Sequence, residues 1–108
     1  MISRKLITPI PGLPQGAQQK LMGVFESQPR LHEVWLYGSR AMGRERPGSD
    51  VDLCLTGEKL GHGDLLRMMA SVDDLLLPWQ VDLALRHQLP DDLLEHINRV
   101  GRCIWRQA

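Results

Sequence analysis

Three aspartates and a Gly-Ser pair hold the chemistry in this chain: Gly38-Ser39 ends one apolar stretch, Asp50-Val51-Asp52 opens the next, and Asp82 lies in a third. Carboxylates offer hard oxygen donors, which select Mg²⁺ or Mn²⁺. Two such anions about 4 Å apart repel by roughly 1 kcal/mol in water and about 4 kcal/mol at an effective dielectric near 20, so a three-Asp cluster calls for something positive. Two cations about 3.5 to 4 Å apart can clamp the attacking and leaving oxygens of an in-line phosphoryl or nucleotidyl displacement. Gly38-Ser39 adds the other half, because a Gly between strand and helix lets the backbone approach a phosphate while the next amides and the Ser39 hydroxyl donate to it. The combination predicts a site for a nucleoside triphosphate and two divalent cations. Arg40 and Arg44 are near enough in sequence to add charge-assisted contacts.

Alternating strands must position these groups. Val51, Leu53 and Leu55 alternate with Asp50, Asp52 and Cys54 over residues 50–56, and Val81, Leu83 and Leu85 alternate with Gln80, Asp82 and Ala84 over 79–85. If both apolar faces turn toward covering helices, Asp50, Asp52 and Asp82 are driven onto one opposite face. A further strand is predicted over 31–37, ending at Gly38, with a short helical segment over Arg40 to Gly43 and a polar loop over 44–49. Helices are predicted from near Pro14 to before Pro29, from His62 or Gly63 to Leu76 with a stripe of Leu65, Leu66, Met69, Val72 and Leu76, and from Pro90 to near Gly101. Cys103 to Trp105 suits a final short strand. This order predicts an α/β (α+β) domain over 14–108, a small mixed sheet with helices covering one face, after an extended, proline-broken lead-in over 1–13.

The bulk numbers narrow the field. A chain of 108 residues with 43% hydrophobic and 24% charged side chains suits one globular domain. Its 13 basic and 13 acidic side chains cancel, which removes the positive field that recruits polynucleotides and disfavours direct nucleic-acid binding. Cys54 and Cys103 lack a paired spacing, so a reducing, cytoplasmic setting is expected, and no apolar run suggests a membrane span. His32, His62, His87 and His96 show no ligand spacing and read as surface or capping groups, while Cys54 reads as a packed thiol beside the site.

The segments Gly38-Ser-Arg-Ala-Met-Gly43 and Ser49-Asp-Val-Asp-Leu-Cys-Leu55 resemble the polymerase beta-like nucleotidyltransferase superfamily, and its minimal nucleotidyltransferase (MNT) group in particular. The resemblance implies that fold from about Leu13 onward. It implies that Asp50 and Asp52 bind both metals, that Asp82 completes one metal site and helps activate the acceptor hydroxyl, and that Gly38 and Ser39 bind the distal phosphates. It further implies transfer of AMP from ATP to a helical HEPN-type toxin, with this chain as its antitoxin. A binding module that neutralises its partner by contact alone, and an antibiotic-type transferase acting on a small molecule, are the competing readings.

Overall fold

Leucine and valine faces draw the sheet together. In the computed structural model, which describes residues 6–108, strand β2 (Val51–Thr56) lies between β1 (Glu33–Tyr37) and β3 (Val81–Leu85), and β4 (Arg102–Arg106) completes the order β3-β2-β1-β4. β2 and β3 run parallel; β1 is antiparallel to both β2 and β4, so the sheet is mixed. A parallel pair needs a crossover, and helix α2 (His62–Asp74) provides it.

Helices α1 (Gln15–Glu26) and α2 cover the face carrying Val34, Leu36, Val51, Leu53 and Leu55, all buried. Each such side chain contributes roughly 1.5–3 kcal/mol when fully buried. Phe25 of α1 meets Trp105 of β4 with ring centroids 5.9 Å apart. Leu65 and Val72 of the expected stripe are buried on α2, joined by Met68, whereas Leu66 and Met69 are exposed. The helix also ends earlier than expected, at Asp74; Leu76 follows with φ 53° and is 88% exposed, so it lies outside both helix and core.

A third helix, α3 (Asp91–Val100), crosses from β3 toward β4 and packs on β1. Asp91 and Asp92 occupy its first turn, where the helix dipole favours negative charge. His96 of α3 meets Tyr37 edge-on, with centroids 6.4 Å apart. Because Tyr37 alternates with Leu36, this contact places α3 over the second face of the sheet.

The expected lead-in includes residues 1–5, outside the described ones. Over residues 6–13 the chain forms no helix, but Ile10 and Leu13 are buried in the core. Buried Gln18 of α1 secures this stretch, accepting from the Ile10 N–H at 3.1 Å and donating to the Leu13 carbonyl at 2.8 Å. Among the described residues no helix is long and apolar enough to cross a membrane.

Candidate active site

Strand register assembles the centre of the site. Tyr37 of β1 lies opposite Asp52 of β2, and Asp52 opposite Asp82 of β3, so the three form one row across neighbouring strands. All three are on the face away from the leucines. Asp52 is half-buried, and Asp82 is exposed on an edge strand. Burial pushes the Asp52 carboxyl above the ordinary carboxylate range, the negative charges of Asp82 and then Asp50 push it further, and His96 pulls it back. Tyr37 is raised to about 12, by burial first and then by the charge of Asp52.

Asp50 departs from the expected convergence. Ladder pairing begins at Val51, whose N–H donates to the Gln80 carbonyl at 2.8 Å, so position 50 belongs to the preceding loop and no pleat directs its side chain. Asp50 is exposed, yet its charge reaches Asp52. Among the described residues, no three acidic, histidine or cysteine side chains gather closely enough to enclose an ion. The Asp52–Asp82 pair nevertheless fits a divalent cation by its chemistry: every donor is a carboxylate oxygen, and the mutual repulsion that raises Asp52 is what a cation would relieve.

Gly38 has φ +75°, and a Cβ built there would strike the Asp52 carboxylate. A Gly is therefore required twice, by backbone conformation and by the approach of Asp52. Residues 39–43 form a turn rather than the expected short helix: the Met42 N–H donates to Gly38 at 3.3 Å and the Arg44 N–H to Ser39 at 2.9 Å, after which the chain leaves. Gly43, at φ +71°, breaks any continuation. Ser39 is half-buried beside Gly38, and its hydroxyl has no hydrogen-bond partner among the described residues.

Arg40 does not serve the phosphate role considered for it. It is 2% exposed, and its guanidinium donates to the Ser49 carbonyl from Nε at 3.1 Å and Nη2 at 2.7 Å, and to the Pro11 carbonyl from Nη1 at 2.7 Å. The side chain is a fastener between the lead-in and the loop before Asp50. Arg44 is exposed and borders a cleft beside the turn.

Two residues join the site that sequence reasoning did not assign to it, Tyr37 and His96. Alternation along β1 would have placed Tyr37 on the aspartate face once the strand order was known. His96 had no comparable signal, since its contact depends on which face α3 crosses. Cys54 is fully buried, and burial raises its thiol to about 11, so it packs rather than reacts. A cavity of about 640 Å³ lined by Leu55, Leu60, Arg86, His87 and Leu94 lies at the other end of β2, away from the aspartates.

Comparison with known proteins accords with this geometry. The family model described as polymerase beta, nucleotidyltransferase matches residues 19–108, a span that includes Gly38, Ser39 and all three aspartates. No curated protein sequence matches. Among solved structures, a toxin-antitoxin crystal structure with AMP-PNP superposes with TM-score 0.68 at 20% identity, covering 82% of this chain and 73% of that one. A tri-AMPylated Shewanella oneidensis HEPN toxin in complex with MNT antitoxin gives TM-score 0.64 at 18% identity, covering 86% and 72%. A nucleotidyltransferase assigned in Sulfolobus solfataricus gives 0.51 at 20% identity, covering 90% and 93%. With the family model spanning most of its length and both halves of the site inside that span, the chain belongs to the polymerase beta nucleotidyltransferase family.

Proposed function

We propose that this chain is a divalent-cation-dependent nucleotidyltransferase that moves AMP from ATP onto a hydroxyl of a helical HEPN-type partner protein, as the antitoxin of that pair. The observation that carries the reading is the in-register pairing of Asp52 with Asp82 directly beside the Gly38-Ser39 turn. Support for the partner comes from structural neighbours that are toxin-antitoxin complexes, one with AMP-PNP and one with a tri-AMPylated toxin.

Asp52 and Asp82, with Asp50 alongside, would hold the cations. When bound, these supply positive charge against the phosphate oxygens. The backbone amides after Gly38 and the Ser39 hydroxyl donate to the phosphates and fix the tail, so that the α-phosphorus faces Asp82. The acceptor oxygen forms a bond to that phosphorus, the bridging bond to the β-phosphate breaks, and pyrophosphate leaves with the electron pair. The exposed Asp82 carboxylate takes the hydroxyl proton and passes it to water. Its position on an edge strand leaves room for an acceptor carried by another molecule.

The test mixes the purified protein with Mg²⁺, ATP labelled at the α-phosphate, and the product of a neighbouring gene encoding a short all-helical protein. Label and an adenylyl mass increase on the partner are expected. Transfer that persists in the Asp50→Ala, Asp52→Ala double variant would overturn the catalytic assignment. Neutralisation of the partner that survives changing all three aspartates would identify contact alone as the mechanism.

A further inference from the structure

We propose that the cavity at the far end of β2 binds a small aliphatic carboxylic acid, with its carboxylate on Arg86 and its hydrocarbon chain against Leu55, Leu60 and Leu94. The inference goes beyond the transfer reading and does not rest on it. β2 and β3 run parallel and finish together, Leu55 opposite Leu85, so their carboxyl ends open into one crevice. Such crevices are the usual ligand positions of open sheets with parallel strands. The loop after β2 and the 3-10 turn Arg86–Gln88 after β3 wall it, and Leu94 of α3 adds a third wall. The volume of about 640 Å³ falls within the range of small-molecule sites, roughly 300–1,000 Å³. Leu55 lies about 10 Å along β2 from Asp52, so the cavity is separate from the aspartate row.

The lining is apolar with one cation set into it. Leu55 and Leu60 are buried and Leu94 is half-buried. Arg86 is half-buried too, and its Nη2 donates to the Asn98 side-chain oxygen at 2.8 Å, a neutral partner that fixes the fork without neutralising it. Among the described residues no ion pair joins Arg86 to a carboxylate. Glu33, which feels its charge, is already held by Arg106 at 2.7 Å and by Trp35 at 3.1 Å. Exposed Glu58 and Lys59 also border the cavity and offset each other, so the uncompensated charge is that of Arg86. The His87 Nε2–H donates to the Leu60 carbonyl at 3.0 Å and ties the turn to the loop.

A guanidinium among leucines with no counter-ion favours an anion that also brings hydrocarbon. A carboxylate is the planar anion that a single fork receives through two parallel hydrogen bonds. A nucleotide would instead bring several negative charges to one guanidinium and set them beside Glu58. The three leucines offer no aromatic face for stacking, so an aliphatic chain suits them. An Arg86 that served only to hold α3 through Asn98 would not need the open volume beside it.

Calorimetric titration of octanoate, octanamide and acetate, without ATP or Mg²⁺, tests the cavity apart from any transfer. Octanoate should bind saturably, and octanamide and acetate about tenfold or more weakly, since the first lacks the charge and the second the chain. Arg86→Ala should cost about ten- to a hundredfold in octanoate affinity, and Arg86→Lys should recover only part of it. Leu94→Ala should weaken octanoate severalfold, and Lys20→Ala on α1 should match wild type. Thermal melts confirm that each variant folds. The site is overturned if octanoate binding does not saturate, if octanamide or acetate binds as tightly, or if folded Arg86→Ala keeps wild-type affinity. Displacement of octanoate by ATP would also overturn it, by making the cavity part of a nucleotide site. Arg86-dependent octanoate binding in a protein that adenylylates no partner would uphold the cavity and refute only the transfer reading.

Discussion

The two faces of this sheet are made by alternate residues of the same strands and have opposite fates. Leu53 and Asp52 are neighbours on β2, yet Leu53 is fully buried beneath α1 and α2 while Asp52 is half-exposed beside α3. The first face is closed along its length. The second is closed only in part: Cys54 is fully buried, but one pleat away the Tyr37–Asp52–Asp82 row lies at the margin of the cover. A carboxylate pair placed deeper would be desolvated and protonated, and one placed in open water would be too well solvated to need a cation. The aspartate face is therefore one whose covering helix stops short, and the closed face supplies the rigidity that keeps the row in register.

The contrast is tested most severely at adjacent positions. Leu53→Ala should destabilise the fold by about 2–5 kcal/mol in urea unfolding, as expected for truncating a fully buried leucine. Asp52→Asn should cost more than the 10- to 100-fold typical of residues that only support a metal ligand, read as label transfer. In metal-free buffer at neutral pH the same change should raise the melting temperature. The sign follows from Asp52: its folded-state pKa lies above the ordinary 3.8, so the folded protein binds the proton more tightly and loses stability as pH rises through that range. The advantage of the variant should vanish below about pH 3.8, where the carboxyl is protonated folded or unfolded. A stabilising effect that persists in acid would mean that Asp52 is not strained by its charge.

Gly38→Ala joins a left-handed backbone to a collision with Asp52, and should cost about 1–3 kcal/mol together with most of the activity. Leu76→Gly, on the outer surface beyond α2, should instead stabilise by about 1 kcal/mol in chemical unfolding, since φ 53° suits glycine and little side-chain burial is lost. At the covered end of the second face, Cys54 should resist a thiol reagent at neutral pH until the protein unfolds, when both cysteines react. Rapid native labelling of Cys54 would show that α3 does not close that end.

The alternation of Val51, Leu53, Leu55 with Asp52, and of Leu83, Leu85 with Asp82, was enough to place two aspartates on one face before any fold was known. It failed at Asp50 because alternation applies only where pairing holds the pleat, and pairing starts one residue later. Within α2 the inward places of Leu65 and Val72 were legible, but Leu66 and Met69 were assigned inward as well: Leu65 and Leu66 are adjacent, as are Met68 and Met69, and only the neighbouring layers decide which of each pair faces inward. Arg40 beside a Gly-Ser pair resembles a phosphate ligand in local sequence, and the carbonyls of Pro11 and Ser49 that occupy it are distant partners with no sequence signature. His96 was illegible for the same reason.

Arg40 also bears on how this site could be moved. Its fork joins Pro11 to Ser49, the residue before Asp50, so the lead-in and the aspartate loop share one fastener. A designer grafting the aspartates and the Gly-Ser turn onto another scaffold would have to carry the proline-rich segment with them. A lysine at position 40 would keep the charge but lose the fork, releasing the loop that leads into Asp50.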